Sequence, residues 1–512
     1  MLAADPAPAP TADICLVLEG TYPYVPGGVS SWVHDLVSSL PTLSFALMHI
    51  GPQPGAYRGM RYQLPSNVTG LAEHYCIDRD SLPAEHNRAD VQQRIRRMKL
   101  RTSPTRSRTL DAIRRMHLED PVDDRLLDDL AAADLTVEQL LHGDEAFAVI
   151  AEIAHRLAAD TPFLEFFWHF RSMYVPLLRL LAVGAPAAAL YHSVSTGYAG
   201  VVAAIASRRT GRPMLLTEHG IYARERDMEL SHATWVADAA ADPRVPRLAQ
   251  SPLRRFWSRF FARLSQIAYH QANRIITLSE VNRRKQLADG ARAEKTSIVP
   301  NGVDVEAIAA AMAPRAQPPR VDAPMRVGFV GRVVPIKDVL TLIRACDLAL
   351  NEVALDVQVI GPTEEDPVYA ARCRELVAAL GREREIQFVG PKKPSEIYGD
   401  LDVCVLTSFS EGQPLVILEA HAVGVPVIAS DVGACREMLE GNSADRALGP
   451  SGIVTRVAAP GETAAALVRL AKSADLRRRM GDAGRARVRA SYTKAGMIES
   501  YRAVYDELGG GN

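Results

Sequence analysis

Between residues 325 and 455 the chain repeats one unit: a short apolar strand, a loop and an amphipathic helix. Apolar, often β-branched runs fall at Arg326–Val330, Asp356–Ile360, Ile386–Val389, Val403–Leu406, Pro426–Ala429 and Gly452–Thr455. They read as strands buried on both faces, because a half-solvated strand would alternate polar and apolar side chains. Strand alternating with helix leaves few topologies, since parallel neighbours need a crossover and the crossover is right-handed. The pattern predicts an α/β fold with a doubly wound parallel sheet. The first half carries the same signature more sparsely, at Ile14–Leu18, Ala187–Tyr191, Pro213–Thr217, Arg274–Ser279 and Ser297–Asp304. A chain of 512 residues exceeds what one core supports. Two Rossmann-like domains are therefore expected. The predicted divisions are a disordered tail 1–12, a first domain 13–308 with a helical insertion at about 78–160, an Ala/Pro-rich linker 309–324, a second domain 325–490 and a final helix within 491–512.

The densest cluster of chemistry follows the strand at Val403–Leu406. Polar residues Thr407, Ser408 and Ser410 end the strand, Gly412 frees the backbone, and Pro414 stands where a first helical residue would. Leu415, Val416 and Leu418 continue at helical spacing to about Val423, and Gly424 stops them. Amides at Leu415 and Val416 would sit at the positive end of that helix, which suits a phosphate. Glu411 and Glu419 flank this start, eight residues apart. Alone, such a pair is more often a solvated helix face than a ligand site. Upstream, the strand Met325–Val330 ends at Gly331, and Arg332 and Lys337 lie five residues apart on the next loop. An open α/β sheet places its ligand groups at such strand ends. Near the N-terminus, Ile14–Leu18 opens into a loop closing on Gly27 and Gly28. Without Cβ atoms these two let the backbone approach a ligand, although a plain tight turn explains them equally well. The loop is not a dinucleotide fingerprint.

The Gly331–Arg332…Lys337 loop and the Glu411-x7-Glu419 motif together resemble the retaining GT-B glycosyltransferases of family 4. The run Asp13–Val33 is similar to the start of the cytosolic members of that family that serve Pel-type exopolysaccharide pathways, and the similarity covers most of the chain. The resemblance implies two Rossmann-like domains facing across a cleft, the final helix crossing back to the first. It implies that Arg332 and Lys337 bind a diphosphate, that Glu411 contacts the transferred sugar and that Glu419 contacts the nucleotide ribose. It places the base near Gly390 and, through the Thr217-x-His219 pattern, brings His219 into the catalytic cleft. Related families carry a second histidine a few residues beyond the position of His192, where Val194 and Ser195 stand here. The implied reaction moves a hexose or N-acetylhexosamine from a UDP-sugar onto a growing exopolysaccharide with retention. Membrane subunits of the same synthase are the implied partners. No cofactor or metal is expected, since no Asp-x-Asp follows a strand to hold a divalent ion.

Several classes are disfavoured. Lys plus Arg (59) balance Asp plus Glu (60), so no basic field calls for nucleic acid. The six cysteines are scattered, and Cys15 and Cys404 fall inside strands as small core residues of a reducing compartment. No signal peptide is visible, and the uncharged stretch Leu180–Ser207 is broken by Gly184, Pro186 and a polar run. It reads as a buried strand and a buried helix, and the protein as cytoplasmic. A basic cluster (Arg94, Arg96, Arg97, Lys99, Arg101, Arg106, Arg108, Arg114 and Arg115) precedes an acidic run around Asp120–Asp134. Helix faces pairing with that run explain it better than a polymer-binding patch. The polar segment Arg477–Arg489 reads as a surface helix. An epimerase or dehydrogenase lacks its fingerprint here; a storage-glucan synthase and a non-catalytic scaffold are the other readings.

Overall fold

A computed structural model describes residues 10–77, 107–119, 121–233, 251–311, 323–392 and 396–509. They form two compact units. The first runs to Thr277 and takes in 284–297 and the residues from Arg502 on; the second holds Leu278–Arg283 and Ile298–Tyr501.

The first unit is built on a seven-stranded sheet ordered β3-β2-β1-β4-β5-β6-β7. Its strands are β1 (Ala12–Glu19), β2 (Phe45–Gly51), β3 (Val68–Tyr75), β4 (Ala188–Ser193), β5 (Met214–Glu218), β6 (Arg274–Thr277) and β7 (Thr296–Ile298). Ile14 lies opposite both Phe45 and Leu190, in parallel register, and Tyr191 opposite Met214. Apolar runs at Ile14–Leu18, Ala187–Tyr191 and Pro213–Thr217 thus become the central strands. β2 and β3 are additional. β2 is buried along its whole length around His49, whereas β3 is an edge strand with Gly70 and Glu73 exposed, so its alternation is diluted. The strand expected over Ser297–Asp304 stops at Ile298. Pro300 offers no amide to a ladder, and Val303, in the second unit, makes an isolated bridge to Thr493 instead.

Leu180–Ser207 divides as its sequence suggests. Leu180 ends its run in the helix Phe163–Val183, β4 follows, and the helix Tyr198–Thr210 is buried from Tyr198 through Ser207. Among the described residues no helix is long and apolar enough to cross a membrane. Between β3 and β4 stand the helices Arg108–Leu118, Asp124–Ala131, Val137–His142 and Asp144–Leu157. Ser107, Asp123 and Thr136 cap the first three, each side chain accepting from a first-turn amide. Arg108 pairs with Asp129, Arg114 with Glu152, and Arg115 with Asp123. The remaining basic residues of the cluster, Arg94 to Arg106, lie outside the described residues, as does most of the expected linker and of the expected N-terminal tail.

The second unit repeats the architecture with six strands ordered β10-β9-β8-β11-β12-β13. They are β8 (Met325–Val330), β9 (Leu355–Ile360), β10 (Ile386–Gly390), β11 (Val403–Leu406), β12 (Val427–Ser430) and β13 (Gly452–Thr455), each within a residue of its sequence-predicted start. Their registered pairs are all parallel. One core joins Val327, Val357 and Val405 to Leu342, Ile343 and Leu467 of the helices Val339–Leu350 and Pro460–Ala471. A second core, including Cys404, Leu406 and Val427, joins Ile417 and Leu418 of the helix Leu415–Ala422 to Val488 of the helix Ala474–Ser491. That last helix corrects the surface reading of Arg477–Arg489. Arg487 is fully buried, pairs with Asp445 at 3.2 Å and donates to Ser451 Oγ and to the carbonyls of Leu439 and Gly449. A buried guanidinium is sustained only when its donors are met this completely. The doubly wound parallel architecture expected from the sequence is present in both units.

Candidate functional site

In a doubly wound sheet the strand order reverses once, and the crevice beyond the carboxyl ends of the two strands at the reversal receives ligands. In the second unit these strands are β8 and β11. The loop after β8 passes Arg332 and makes one 3-10 turn, Pro335–Lys337. Asp338, at φ 45°, then caps the helix Val339–Leu350 by accepting from the Thr341 amide at 3.2 Å. The loop after β11 is bonded directly to this turn. Thr407 Oγ1 donates to the carbonyls of Lys337 (3.1 Å) and Asp338 (2.9 Å), and the Phe409 amide donates to Ile336 O at 2.8 Å.

Onto this joined piece the structure brings Lys337 and Glu411. Lys337 Nζ donates to Glu411 Oε1 at 2.5 Å, and Ser408 Oγ donates to the same oxygen at 2.6 Å. The lysine side chain is 19% exposed and the glutamate 11%. A pair this sheltered keeps much of its attraction, yet remains reachable from solvent. Glu419 lies along the helix Leu415–Ala422, and its Oε2 accepts from Tyr398 OH at 2.5 Å. Burial pushes the Glu419 carboxyl above its usual range, and the tyrosine hydrogen bond pulls the other way. The helix begins one residue later than expected: Pro414 is its cap, with no side-chain hydrogen bond to give, and Leu415 and Val416 open the first turn.

Arg332 is placed apart from this pair. Its guanidinium holds Glu365, and both side chains are about half exposed. Gly390 closes β10 at φ 73°, and its carbonyl accepts from the Gly361 amide. Gly361 in turn lies against the loop after β8, where a Cβ would stand 1.9 Å from Gly331 O. Gly412 accepts, through its carbonyl, from the Ala434 amide at 2.9 Å. Beside it Gly433, at φ 51°, has room for no side chain: a Cβ would stand 2.0 Å from Glu411 O. We expect Gly433→Ala to cost about 2 kcal/mol or more, through positive φ and backbone overlap together. Urea unfolding with an unchanged midpoint would contradict that close approach.

Ser408, Tyr398 and Gly433 escape a sequence reading. Ser408 belongs to a polar run that marks a strand end, which says nothing of the carboxylate it meets three residues on. Tyr398 is fully buried in the short turn before β11, and only the fold shows that it faces Glu419.

The remaining predicted residues lie in the first unit. Gly27 and Gly28 are exposed, at the start of the helix Gly28–Ser39 that follows β1. His219 immediately follows β5, its ring edge-on to Trp32 with centroids 4.7 Å apart. Its Nε2 is buried without a hydrogen-bond partner among the described residues, and burial pushes the ring down to about 4. His192, at the end of β4, is a satisfied core residue: Nδ1 meets Tyr505 OH at 2.7 Å and Nε2 meets Thr217 Oγ1 at 2.9 Å. Two buried carboxylates that the sequence does not single out stand near the reversal of this sheet. Glu19 accepts from the Ala199 amide and Tyr222 OH, both at 3.1 Å. Glu218 accepts from Tyr269 OH, Gln286 Nε2, Thr196 Oγ1 and the Tyr222 amide. Burial raises both carboxyls.

Burial, with His219 adding to it, holds the His192 ring neutral down to about pH 3. The unfolded chain protonates it below about 6.5, so between these values the unfolded state binds the extra proton. Its contribution to stability is complete above that range and is lost as pH falls. Between pH 7 and pH 5 the loss from this ring is about 2 kcal/mol. His192→Gln, whatever its absolute stability, is expected to lose that much less over the same interval in urea titrations. Equal losses in both proteins would refute the neutral ring.

Residues 12–294 match the family model described as Domain of unknown function (DUF3492), and residues 324–473 match the one described as Glycosyl transferases group 1. A D-inositol 3-phosphate glycosyltransferase of Nocardia farcinica is 30% identical over 254 residues, 47% of this chain and 54% of the relative. An MMP alpha-(1->4)-mannosyltransferase of Mycolicibacterium hassiacum is 26% identical over 313 residues, 58% of this chain and 66% of the relative. The chain thus spans between about half and two-thirds of the length of these curated relatives. Among solved structures, a sucrose-phosphate synthase of Thermosynechococcus elongatus superposes with a TM-score of 0.58 at 17% identity, covering 98% of this chain and 100% of that one. Anabaena HepE in complex with UDP and glucose gives 0.54 at 15% identity, covering 96% and 99%. These likenesses are of fold: the GT-B pattern of two Rossmann-like parallel-sheet units.

Proposed function

The chain belongs to the family described as Domain of unknown function (DUF3492) and carries a group 1 glycosyl transferase domain, and from that footing we propose that it is a retaining glycosyltransferase using a UDP-sugar. The observation that carries this reading is the Lys337–Glu411–Ser408 cluster at the reversal of the second sheet, with Glu419 on the helix beside it. The UDP complexes of HepE, a protein of the same fold, support the choice of base.

Donor binding exchanges partners. The diphosphate takes Lys337 from Glu411, and the amides at Leu415 and Val416 add the helix's positive end. Glu411, still held by Ser408, then accepts from hydroxyls of the sugar, while Glu419 accepts from the ribose. Arg332 leaves Glu365 for the diphosphate as its charge grows. Bond making and breaking occur on one face of the sugar. The acceptor oxygen bonds to the anomeric carbon as that carbon's bond to the phosphate oxygen breaks, and the departing phosphate takes the acceptor's hydroxyl proton. Configuration is retained and UDP leaves. Charge placed in advance at the leaving group is the largest contribution such a site makes, and Lys337 supplies it without a metal. His219, neutral, contacts the sugar or the acceptor.

The resemblance of Asp13–Val33 to PelF supports the finer reading: a PelF-type enzyme extending an exopolysaccharide with a hexose or N-acetylhexosamine, alongside membrane subunits of the synthase. The test is nucleotide release in EDTA by the purified chain against UDP-, ADP- and GDP-sugars, with Lys337→Ala as control. Release from one UDP-sugar, lost in the variant, is the expected result. Turnover that requires a divalent cation, or a preference for ADP- or GDP-sugars, would overturn the metal-free or the UDP assignment respectively.

A further inference from the structure

A cavity in the second unit lies apart from the crevice that holds Lys337 and Glu411. It has a volume of about 980 Å³ and opens at the other end of the sheet. Leu401 and Asp402 precede β11, Val425 and Pro426 precede β12, and all four line it. The donor loops follow the carboxyl ends of the same parallel strands, so the two sites lie at opposite edges. The volume is in the range of small-molecule pockets.

Its lining combines apolar side chains and arginines with the carboxylates Asp402, Asp475 and Asp482. Leu401, Ala422 and Val425 are buried and apolar. Around them the helix Ala474–Ser491 contributes Arg477, Arg478, Arg485 and Arg489. Arg478 and Arg489 stand 72% and 51% exposed and, among the described residues, hold the surface carboxylates Asp475 and Glu306. Exposed pairs of that kind are weak and are readily exchanged for a better anion. Arg485 Nε is buried without a hydrogen-bond partner among the described residues. Guanidinium forks match phosphate oxygens, and their flat faces stack on planar groups.

We propose that this cavity is a second ligand site, for a phosphorylated small molecule with a planar or apolar body, and that Tyr398 couples it to the donor site. Tyr398 borders the cavity with its side chain buried, and its hydroxyl donates to Glu419. A ligand that shifts this ring changes the hydrogen bond that orients the carboxylate assigned to the ribose. Occupancy of either site then alters affinity at the other by the same factor.

Phenyl phosphate is the probe, titrated calorimetrically into the full chain with and without saturating UDP; phenol and inorganic phosphate test the two halves of the ligand separately. The expected result is one site that persists with UDP bound, with each half binding at least about tenfold more weakly than the whole. Arg478→Glu, at a well-exposed position, is expected to weaken phenyl phosphate about tenfold, and Arg485→Ala serves as an independent second variant. Phenyl phosphate is expected to shift the UDP dissociation constant about fivefold in the wild type and not in Tyr398→Phe. Binding abolished by UDP, or unaltered in both arginine variants, would overturn the site. An unchanged UDP affinity in the wild type would remove the coupling. Because the probe is also titrated without UDP, a chain that binds no UDP would count against the donor assignment and leave the cavity result standing on its own.

Discussion

Lys337→Ala is expected to lower kcat/KM by about 10³-fold, the range seen when one preorganised group facing a developing negative charge is removed. The structure adds a second expectation that a generic lysine would not carry. In the resting chain this ammonium is committed to Glu411 at 2.5 Å. Its loss leaves that carboxylate, 11% exposed, with Ser408 alone. The variant is therefore expected to unfold at lower urea concentration as well, by about 1–3 kcal/mol. UDP affinity falls with the rate, since the same group meets the diphosphate in ground and transition states. Arginine is not a conservative replacement here, because its planar fork cannot take the position of a compact ammonium on a one-turn 3-10 element. A Lys337→Ala variant that turned over sugar donor at the wild-type rate would end the assignment.

Glu411→Gln is expected to separate binding from turnover. Removing the carboxylate charge releases Lys337 from its resting partner, so UDP binds as well as before or a few-fold more tightly. Turnover nevertheless falls by about 10²-fold or more, because the acceptor for the sugar hydroxyls has become a neutral amide that meets Lys337 and Ser408 differently. The two substitutions thus move UDP affinity in opposite directions while both depress the rate. Equilibrium titration with UDP and initial-rate measurement on the same preparations read the contrast. If Glu411→Gln weakened UDP as severely as Lys337→Ala, the ion pair would be a structural brace and not a partner displaced by donor.

How much of this was legible beforehand depended on the range of the interaction. The six strands of the second unit are apolar runs between polar or glycine punctuation, a signal confined to a few consecutive residues. The positions of Lys337, Glu411 and Glu419 after strands were legible, whereas the roles given to them rested on the family resemblance and not on spacing. What joins them was not legible. Thr407 reaches back to the carbonyls of Lys337 and Asp338, and Tyr398 reaches across to Glu419, contacts fixed by the parallel register and not by any local pattern. The early end of the strand before Pro300 was legible in principle, since a proline inside a ladder leaves a donor missing. Arg487 was misread for a related reason. Its helix is polar by composition, and only the fold reveals that Asp445, Ser451 and two carbonyls converge on one of its many arginines. Arg332 matched the family's spacing, yet in the resting chain it stands with Glu365.

The contact between His192 and Tyr505 has a consequence for biosynthesis. The sheet of the first unit is complete once β7 has been made, but the Tyr505 hydroxyl that meets His192 belongs to a residue translated after the whole second unit. Domains emerging from the ribosome generally fold in order of synthesis. Here the nascent first unit must wait without the Tyr505 hydroxyl that meets His192 Nδ1 and with the face of Phe45 that meets Tyr505 uncovered. Emergence of Tyr505, and not completion of the sheet, is the event that seals this unit. A chain stalled just before Tyr505 should therefore remain open to proteolysis around β1, β2 and β4 long after their strands have paired.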